Sequence, residues 1–294
     1  MTGYALITPA RDELDNLRRL SAAVVNQQVL PTEWIIVDDG SADGTAALAS
    51  VLARRHEWIR LVAAPRRGGP LDEGRQRGRD VVAFHAGLGA LRRRPDFVVK
   101  LDADVSFGPE YFDRLLREFD ADPALGIASG MCLERDGEGW RPWYVTEGHV
   151  RGATRVWRRE CLEAVLPLEE RLGWDGVDEL KAATLGWRTR SFREPVFYHH
   201  RPLAAREGSA RGRAWVTIGS TAHYLGSRPS YVLFRALHHA RHELAALAMI
   251  WGYASAAARR EPRCPDADVR DYLRSRQRLR NLPLRAREVI GGPS

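Results

Sequence analysis

The chain has 294 residues, 44% of them hydrophobic and 28% charged, which is enough apolar material for a full core and too much for a disordered protein. Its formal charge of +7 rests on arginine, since Lys100 and Lys181 are the only lysines; the basicity reads as compositional bias and makes no case by itself for a nucleic-acid partner. Cys132, Cys161 and Cys264 lie far apart with no C-x-x-C pair, which reads as free thiols in a reducing compartment and points to the cytoplasm.

The opening Met1-Thr2-Gly3 carries no charged leader, so no secretory signal is expected. Tyr4 to Thr8 reads as a strand closed by Pro9, and Asp12 to Val29 has helical periodicity through Leu14, Leu17, Leu20, Val24 and Val25. Trp34 to Val37 is a second buried strand. It runs into the turn-rich Asp38-Asp39-Gly40-Ser41-Ala42-Asp43-Gly44-Thr45, which opens a helix over Ala46 to Arg55. Arg60 to Ala63 is a third strand, Pro65 to Arg79 an Arg- and Gly-rich loop, Val81 to Arg92 a helix and Phe97 to Leu101 a fourth strand. Such alternation predicts an α/β fold with a mainly parallel sheet flanked by helices.

The second half is less regular. Tyr111 to Phe119 reads as an amphipathic helix, Gly126 to Leu133 as a strand and Gly137 to Gly148 as a loop of the kind that covers ligands. Arg159 to Leu166 is helical, and Trp187 to Tyr198 is a strand ending in His199-His200-Arg201-Pro202. From Ala214 onward the pattern is helical. The uncharged run Leu244 to Ala258 is too short to span a bilayer, which takes about 20 apolar residues, but it suits a helix lying on a membrane surface or packed on the catalytic domain. The domains are therefore read as 1–213, in two halves 1–108 and 109–213, and a helical extension 214–294.

Chemistry concentrates at strand ends. In open α/β sheets ligands bind outside the carboxyl ends of the strands, where Pro9-Ala10-Arg11, Asp38-Asp39 and Asp102-Ala103-Asp104 all fall. Asp102 and Asp104, at i and i+2 of an extended segment, point the same way and can share one hard cation and its phosphates. One such pair arises by chance on the order of once or twice in a chain this acidic; position at a strand end is what raises its value. Lys100 has the same parity, either adding charge there or pairing with a nearby acid. Asp38 and Asp39 read equally as ligands for a base or ribose and as parts of a cap, with Ser41 or Asp43 satisfying free N–H groups.

Asp175, Asp178 and Glu179 share one face at the start of a later helix, where a carboxylate can take a proton from an acceptor hydroxyl. Asp175 with Asp178 also resembles a capping box. His199 and His200 are candidate nitrogen ligands. Arg67 is taken from the loop arginines Arg66, Arg67, Arg75, Arg77 and Arg79 as facing the phosphates.

Taken together, Ile7-Thr8-Pro9-Ala10-Arg11, Ile36-Val37-Asp38-Asp39-Gly40-Ser41, Val99-Lys100-Leu101-Asp102-Ala103-Asp104 and Trp174-Asp175-Gly176-Val177-Asp178-Glu179 resemble glycosyltransferase family 2, inverting enzymes of the GT-A fold. The resemblance implies a donor site for a UDP-, dTDP- or GDP-linked sugar at Thr8, Pro9, Arg11, Asp38 and Asp39. It also implies Mg or Mn at Asp102 and Asp104, with a C-terminal histidine assisting, and a catalytic base among Asp175, Asp178 and Glu179. The expected acceptor is a hydroxyl on a polysaccharide, a lipid-linked glycan or a natural product. The family pattern is Glu-Asp followed one residue later by Asp, from which this chain departs; spacing back from Gly186 favours Asp175 as base and the local grouping favours Asp178, which is preferred. A sugar-phosphate nucleotidyltransferase normally begins with a Gly-rich loop and a lysine, absent from Pro9-Ala10-Arg11-Asp12-Glu13, and a non-catalytic RNA- or membrane-binding module leaves three acidic strand ends without purpose.

Overall fold

A computed structural model describes residues 3–65, 78–136, 139–142, 148–201 and 208–278, and the chain divides into two compact units, Met1–Pro202 and Leu203–Ser294. The division falls at 202/203, against the 213/214 read from the sequence.

The first unit is built on a nine-stranded sheet. Strands β1 (Tyr4–Ala10), β2 (Glu33–Asp38), β3 (Ile59–Ala63) and β4 (Phe97–Leu101) run parallel in the order β3-β2-β1-β4, with Tyr4 opposite Phe97 and Leu6 opposite Trp34. Helices α1 (Leu14–Val25), α2 (Thr45–Arg55) and α3 (Arg79–Gly89) make the crossovers. Both faces of the sheet are covered, which is why these strands are continuous apolar runs and not alternating ones. Their parity divides the core in two. Tyr4, Leu6, Trp34, Ile36, Phe97 and Val99 face one layer, while Ile7, Ile35, Val37 and Val98 face the other with Phe84 and Trp157.

Beyond β4 the sheet turns antiparallel. β8 (Thr154–Arg158) pairs with β4, β6 (Leu125–Asp136) lies next to it, β9 (Arg188–His199) runs parallel to β6, and β5 (Val105–Phe107) closes the order against β9. Helix α4 (Tyr111–Ala121) buries Tyr111, Phe112, Leu115, Leu116 and Phe119, the stripe its periodicity predicts. Helices α5 (Arg159–Val165) and α6 (Trp174–Thr184) belong to this half.

Three local expectations need correction. The segment expected to be a loop from Gly137 contains a strand, β7 (Gly139–Pro142), because the edge of β6 offers it backbone partners from Leu133 to Asp136. Asp102 and Asp104 are not i and i+2 of one extended segment, because a turn at Ala103 and Asp104 separates β4 from β5. Helix α6 begins at Trp174 behind Gly173, which is in the left-handed region at φ 83° with no side-chain cap, so no capping box forms between Asp175 and Asp178.

The second unit is helical: α7 (Gly208–Tyr224), α8 (Pro229–Ala240), a 3₁₀ turn (Leu244–Leu247), α9 (Ala248–Ala258) and α10 (Ala267–Arg276). Helices α7 and α9 meet backbone to backbone, since a Cβ on Gly219 would lie 2.0 Å from the Met249 carbonyl oxygen and one on Gly252 would lie 2.1 Å from that of Val216. Only glycine fits at either position.

Candidate active site

The ends of β1, β2 and β4 carry three clusters, each tied to a cation. At the first two, Asp39 is held by Arg79, at 2.7 Å from Nη2 to Oδ1, and approached by Arg11 at 3.6 Å. The Asp38 carboxylate accepts hydrogen bonds from the backbone N–H groups of Gly40 and Ser41, so it shapes its own turn. Thr8 is fully buried and its hydroxyl accepts the indole N–H of Trp34 at 2.9 Å, which leaves its side chain an architectural part. Pro9 is partly buried beside it. Arg67, like Arg66, Arg75 and Arg77, lies outside the described residues.

Ser41, Asp43 and Thr45 do more than cap their own helix. Ser41 Oγ accepts from the Asp12 N–H, Asp43 Oδ2 from Leu14 N–H and Thr45 Oγ1 from Glu13 N–H, so the turn after β2 caps α1, the helix that follows β1. Asp12 returns the contact by accepting from the Ala42 N–H at 2.7 Å.

At the end of β4, Asp102 pairs with Lys100 at 2.5 Å, and the same buried ammonium reaches Asp80 Oδ2 at 3.3 Å and lies 5.4 Å from the Trp174 ring centroid. Two residues on, Asp104 is 4% exposed; its Oδ1 lies 3.4 Å from His199 Nε2 and its Oδ2 3.6 Å from Arg201 Nε. Behind it, the buried Glu134 is held by Arg151 at 3.0 Å and lies 3.9 Å from His199 Nδ1. That nitrogen is buried without a hydrogen-bond partner among the described residues. His200 turns to the opposite side, its Nε2 2.7 Å from Ser106 Oγ, and burial with nearby positive charge pushes its pKa down to about 4. Arg201 also pairs with Glu13, whose carboxyl is pushed up by burial and by the charge of Asp104.

These residues fit a divalent cation in part. A carboxylate and an imidazole nitrogen converge at Asp104 and His199, a set suited to Mn, while among the described residues no group of three or more His, Cys, Asp or Glu side chains is placed to hold a metal. The remaining coordination positions would fall to phosphate oxygens and water.

On α6 the three acids separate. Asp178 is 1% exposed and accepts from Arg155 Nη2 at 2.7 Å, Arg155 Nε at 3.1 Å and the Trp157 indole at 2.9 Å. Burial pushes its carboxyl up to about 7 against the pull of Arg155. A pKa near neutrality is what a base needs, but ion-pair networks produce it too, and no acceptor reaches a sealed carboxylate. Glu179 accepts from the Val150 N–H at 2.7 Å, pairs with Arg155 at 3.2 Å and lies 3.0 Å from His149 Nδ1.

Asp175 alone is open. It is partly exposed, and its carboxylate has no hydrogen bond or ion pair among the described residues. A Cβ at Gly152 would lie 3.8 Å from its Oδ2, so the side chain missing there leaves that oxygen uncovered. Trp174, next in sequence, donates its indole N–H to Asp80 at 3.3 Å and stands between Lys100 and Arg155, joining the β4 end to the start of α6.

Sequence reasoning did not single out Asp80, Glu134, Arg151 or Trp174 and gave Arg155 no role. For Asp178 a signal existed: Trp174, Val177 and Ala182 are the apolar stripe of α6, and Asp178 falls on it.

The family model for glycosyl transferase family 2 matches residues 5–164, and the chain belongs to that family. Over 139 residues it is 34% identical to a polyprenol monophosphomannose synthase of Mycolicibacterium smegmatis, covering 47% of this chain and 48% of that one. It is 30% identical over 115 residues to the succinoglycan biosynthesis protein ExoO of Rhizobium meliloti, covering 39% of this chain and 29% of that one. The chain thus spans less than half the length of these curated relatives. Among solved structures, the mannosyltransferase PcManGT from Pyrobaculum calidifontis, in complex with GDP-Man and Mn2+, aligns with TM-score 0.54 at 19% identity over 99% of this chain and 88% of that one. S. aureus TarS 1–349 in complex with UDP-GlcNAc aligns with TM-score 0.53 at 14% identity over 88% and 92%. The fold is GT-A.

Proposed function

We propose that the chain transfers a sugar, with inversion, from a nucleotide diphosphate sugar to an acceptor hydroxyl. The observation that carries this reading is Trp174, which ties the Asp102-Lys100-Asp80 cluster at the end of β4 to the open Asp175 carboxylate at the start of α6. In this reading donor and base lie side by side at the strand ends.

In this reading Arg11 and Arg79, already drawn together by Asp39, and Lys100 beside Asp102 face the nucleotide diphosphate of a UDP-, dTDP- or GDP-linked donor. Asp175 is the base. It takes the proton of the acceptor hydroxyl as that oxygen attacks the anomeric carbon, while Arg155 holds Asp178 and Glu179 away from the reaction. Asp104 and His199 are the residues that would hold Mg or Mn, which when bound supplies Lewis-acid neutralisation of the departing diphosphate; Mn2+ beside GDP-Man in PcManGT supports this. Glu134 places a second negative charge behind the His199 ring, 3.9 Å from Nδ1. The name of the M. smegmatis relative supports a lipid-linked acceptor and that of ExoO a polysaccharide.

A thermal-shift panel of UDP-, dTDP- and GDP-sugars with and without Mn, followed by calorimetry on the best nucleoside diphosphate, tests the assignment. At least one should raise Tm, Mn should tighten its binding about tenfold or more, and Asp104→Asn should remove the Mn contribution while the chain stays folded. No nucleotide binding under any condition would overturn the function; an undiminished Mn effect in Asp104→Asn would overturn the metal site alone.

A further inference from the structure

The helical unit carries large apolar side chains on its outside. Ten are exposed among the described residues, and six of them fall within residues 233–251: Leu233, Phe234, Leu237, Leu244, Leu247 and Trp251. On α8 the inward positions are Val232 and Ala236, whereas the outward ones are Leu233, Phe234 and Leu237, so the larger residues face water. Leu244, Leu247 and Trp251 follow at i, i+3 and i+7 through the 3₁₀ turn and α9, with Leu244 77% and Trp251 69% exposed. Helix α8 packs against both the 3₁₀ turn and α9, so the elements carrying the two stripes are direct neighbours. Apolar area left to water forfeits about 25 cal/mol per Å², and a cluster of this kind marks a contact surface where scattered leucines would not.

The charge around it identifies what covers it. Residues 208–261 hold Arg211, Arg213, Arg228, Arg235, Arg241, Arg259 and Arg260 against two acids, Glu243 and Glu261, the latter paired with Arg259. Arg235 and Arg241, which border the α8 stripe, are exposed, and neither guanidinium has an ion pair or hydrogen-bond acceptor among the described residues. We infer that the surface formed by α8, the 3₁₀ turn and α9 docks on an anionic lipid bilayer, with Phe234, Leu244 and Trp251 entering the interface and Arg235 and Arg241 pairing with lipid phosphates. A second copy of the chain covers the surface less well, because a two-fold contact sets the same uncompensated arginines against each other. Tryptophan at the rim of an apolar surface suits the headgroup level. No helix among the described residues is long and apolar enough to cross a membrane, so the contact is with the bilayer surface. None of this depends on the sugar-transfer reading.

The test is flotation of the full chain with vesicles of phosphatidylglycerol and phosphatidylcholine, compared with phosphatidylcholine alone. The chain should float with the anionic vesicles at low salt and be released towards about 1 M salt, where the screening length falls to about 3 Å. The double variant Phe234→Ser/Trp251→Ser should lower the partition coefficient by about tenfold or more with an unchanged circular dichroism spectrum, since both side chains already face water. Arg235→Ser/Arg241→Ser should remove the preference for anionic over neutral vesicles, an arm that stands if the aromatic variant fails to fold. Absence of flotation, equal flotation with both vesicle types, or flotation untouched by both double variants would each overturn the inference. So would a concentration-dependent dimer in light scattering that the aromatic variant dissolves, which would make the second copy the occupant.

Discussion

Two groups of acids, one at the strand ends and one at the start of α6, look alike in the sequence and are built differently in space. At the strand ends Asp39, Asp102 and Asp104 lie near the surface or just beneath it and each meets a cation, Asp39 with Arg11 and Arg79, Asp102 with Lys100 and Asp104 with Arg201, while Asp38 turns to its own backbone. Along α6 one turn of helix separates an open carboxylate, Asp175, from a sealed one, Asp178, that is consumed by Arg155 and Trp157. A strand end delivers its side chains to one edge of the sheet whatever the local sequence. A helix start sends residues three apart to nearly the same face yet to different depths, so an acid cluster there is part machinery and part scaffold.

The comparison breaks most visibly on Asp175. Asp175→Asn should lower kcat by about 10²- to 10⁴-fold, the range for losing a general base, with nucleoside diphosphate affinity unchanged by calorimetry. A folded Asp178→Asn that is inactive beside an active Asp175→Asn would reverse the two roles. Asp178→Ala should instead act on the fold, costing about 3–5 kcal/mol in urea unfolding because the buried Arg155 loses the closer of its two carboxylate partners and the Trp157 indole loses its acceptor. A loss within about 0.5 kcal/mol, the scale of a surface substitution, would mean that Asp178 is no scaffold.

The smallest effect concerns the rim of the same cluster. Burial disfavours a charged His149, but Glu179 outweighs it and raises its pKa above the ordinary histidine value. A histidine raised on folding adds stability that is fully present below its unfolded pKa of about 6.5 and lost as pH climbs through the folded value. His149→Asn should therefore be less stable than the parent below the unfolded histidine pKa and approach it as the pH climbs through the raised folded value. A difference that stays constant with pH would show that the Glu179 contact carries no charge.

The sequence was most legible where one element decides the outcome. Phe97 to Leu101 is apolar enough to be a central strand wherever it packs, and the acids behind it must then emerge at the sheet edge. The Tyr111 to Phe119 stripe is equally self-contained. Legibility failed where two distant segments decide together. Asp178 is a scaffold residue only because Arg155, on a strand paired with β4, points at it, and nothing local to α6 encodes that strand's position. Strand β7 exists because β6 runs on past its short pairing with β8 at Ile127 and Ala128, which leaves Leu133 to Asp136 open on that side, a fact of sheet register and not of the residues Gly139 to Pro142. Ser41 and Asp43 read as caps of the helix that follows them; Asp43 does accept the Thr45 N–H there, but both, with Thr45, also bond the start of α1, the helix in the preceding crossover.

That last arrangement has a thermodynamic consequence. Because the turn after β2 caps α1 and Asp12 bonds back to Ala42, the segments carrying Arg11 and Asp39 are stitched to each other before any ligand arrives. Fixing the backbone of a loop residue costs about 1–2 kcal/mol of entropy, and in this corner that cost is met during folding and not during binding. The proposed donor site would thus be set in advance on its nucleotide side: two loops that would otherwise stiffen one after the other around a guest behave as one rigid jaw.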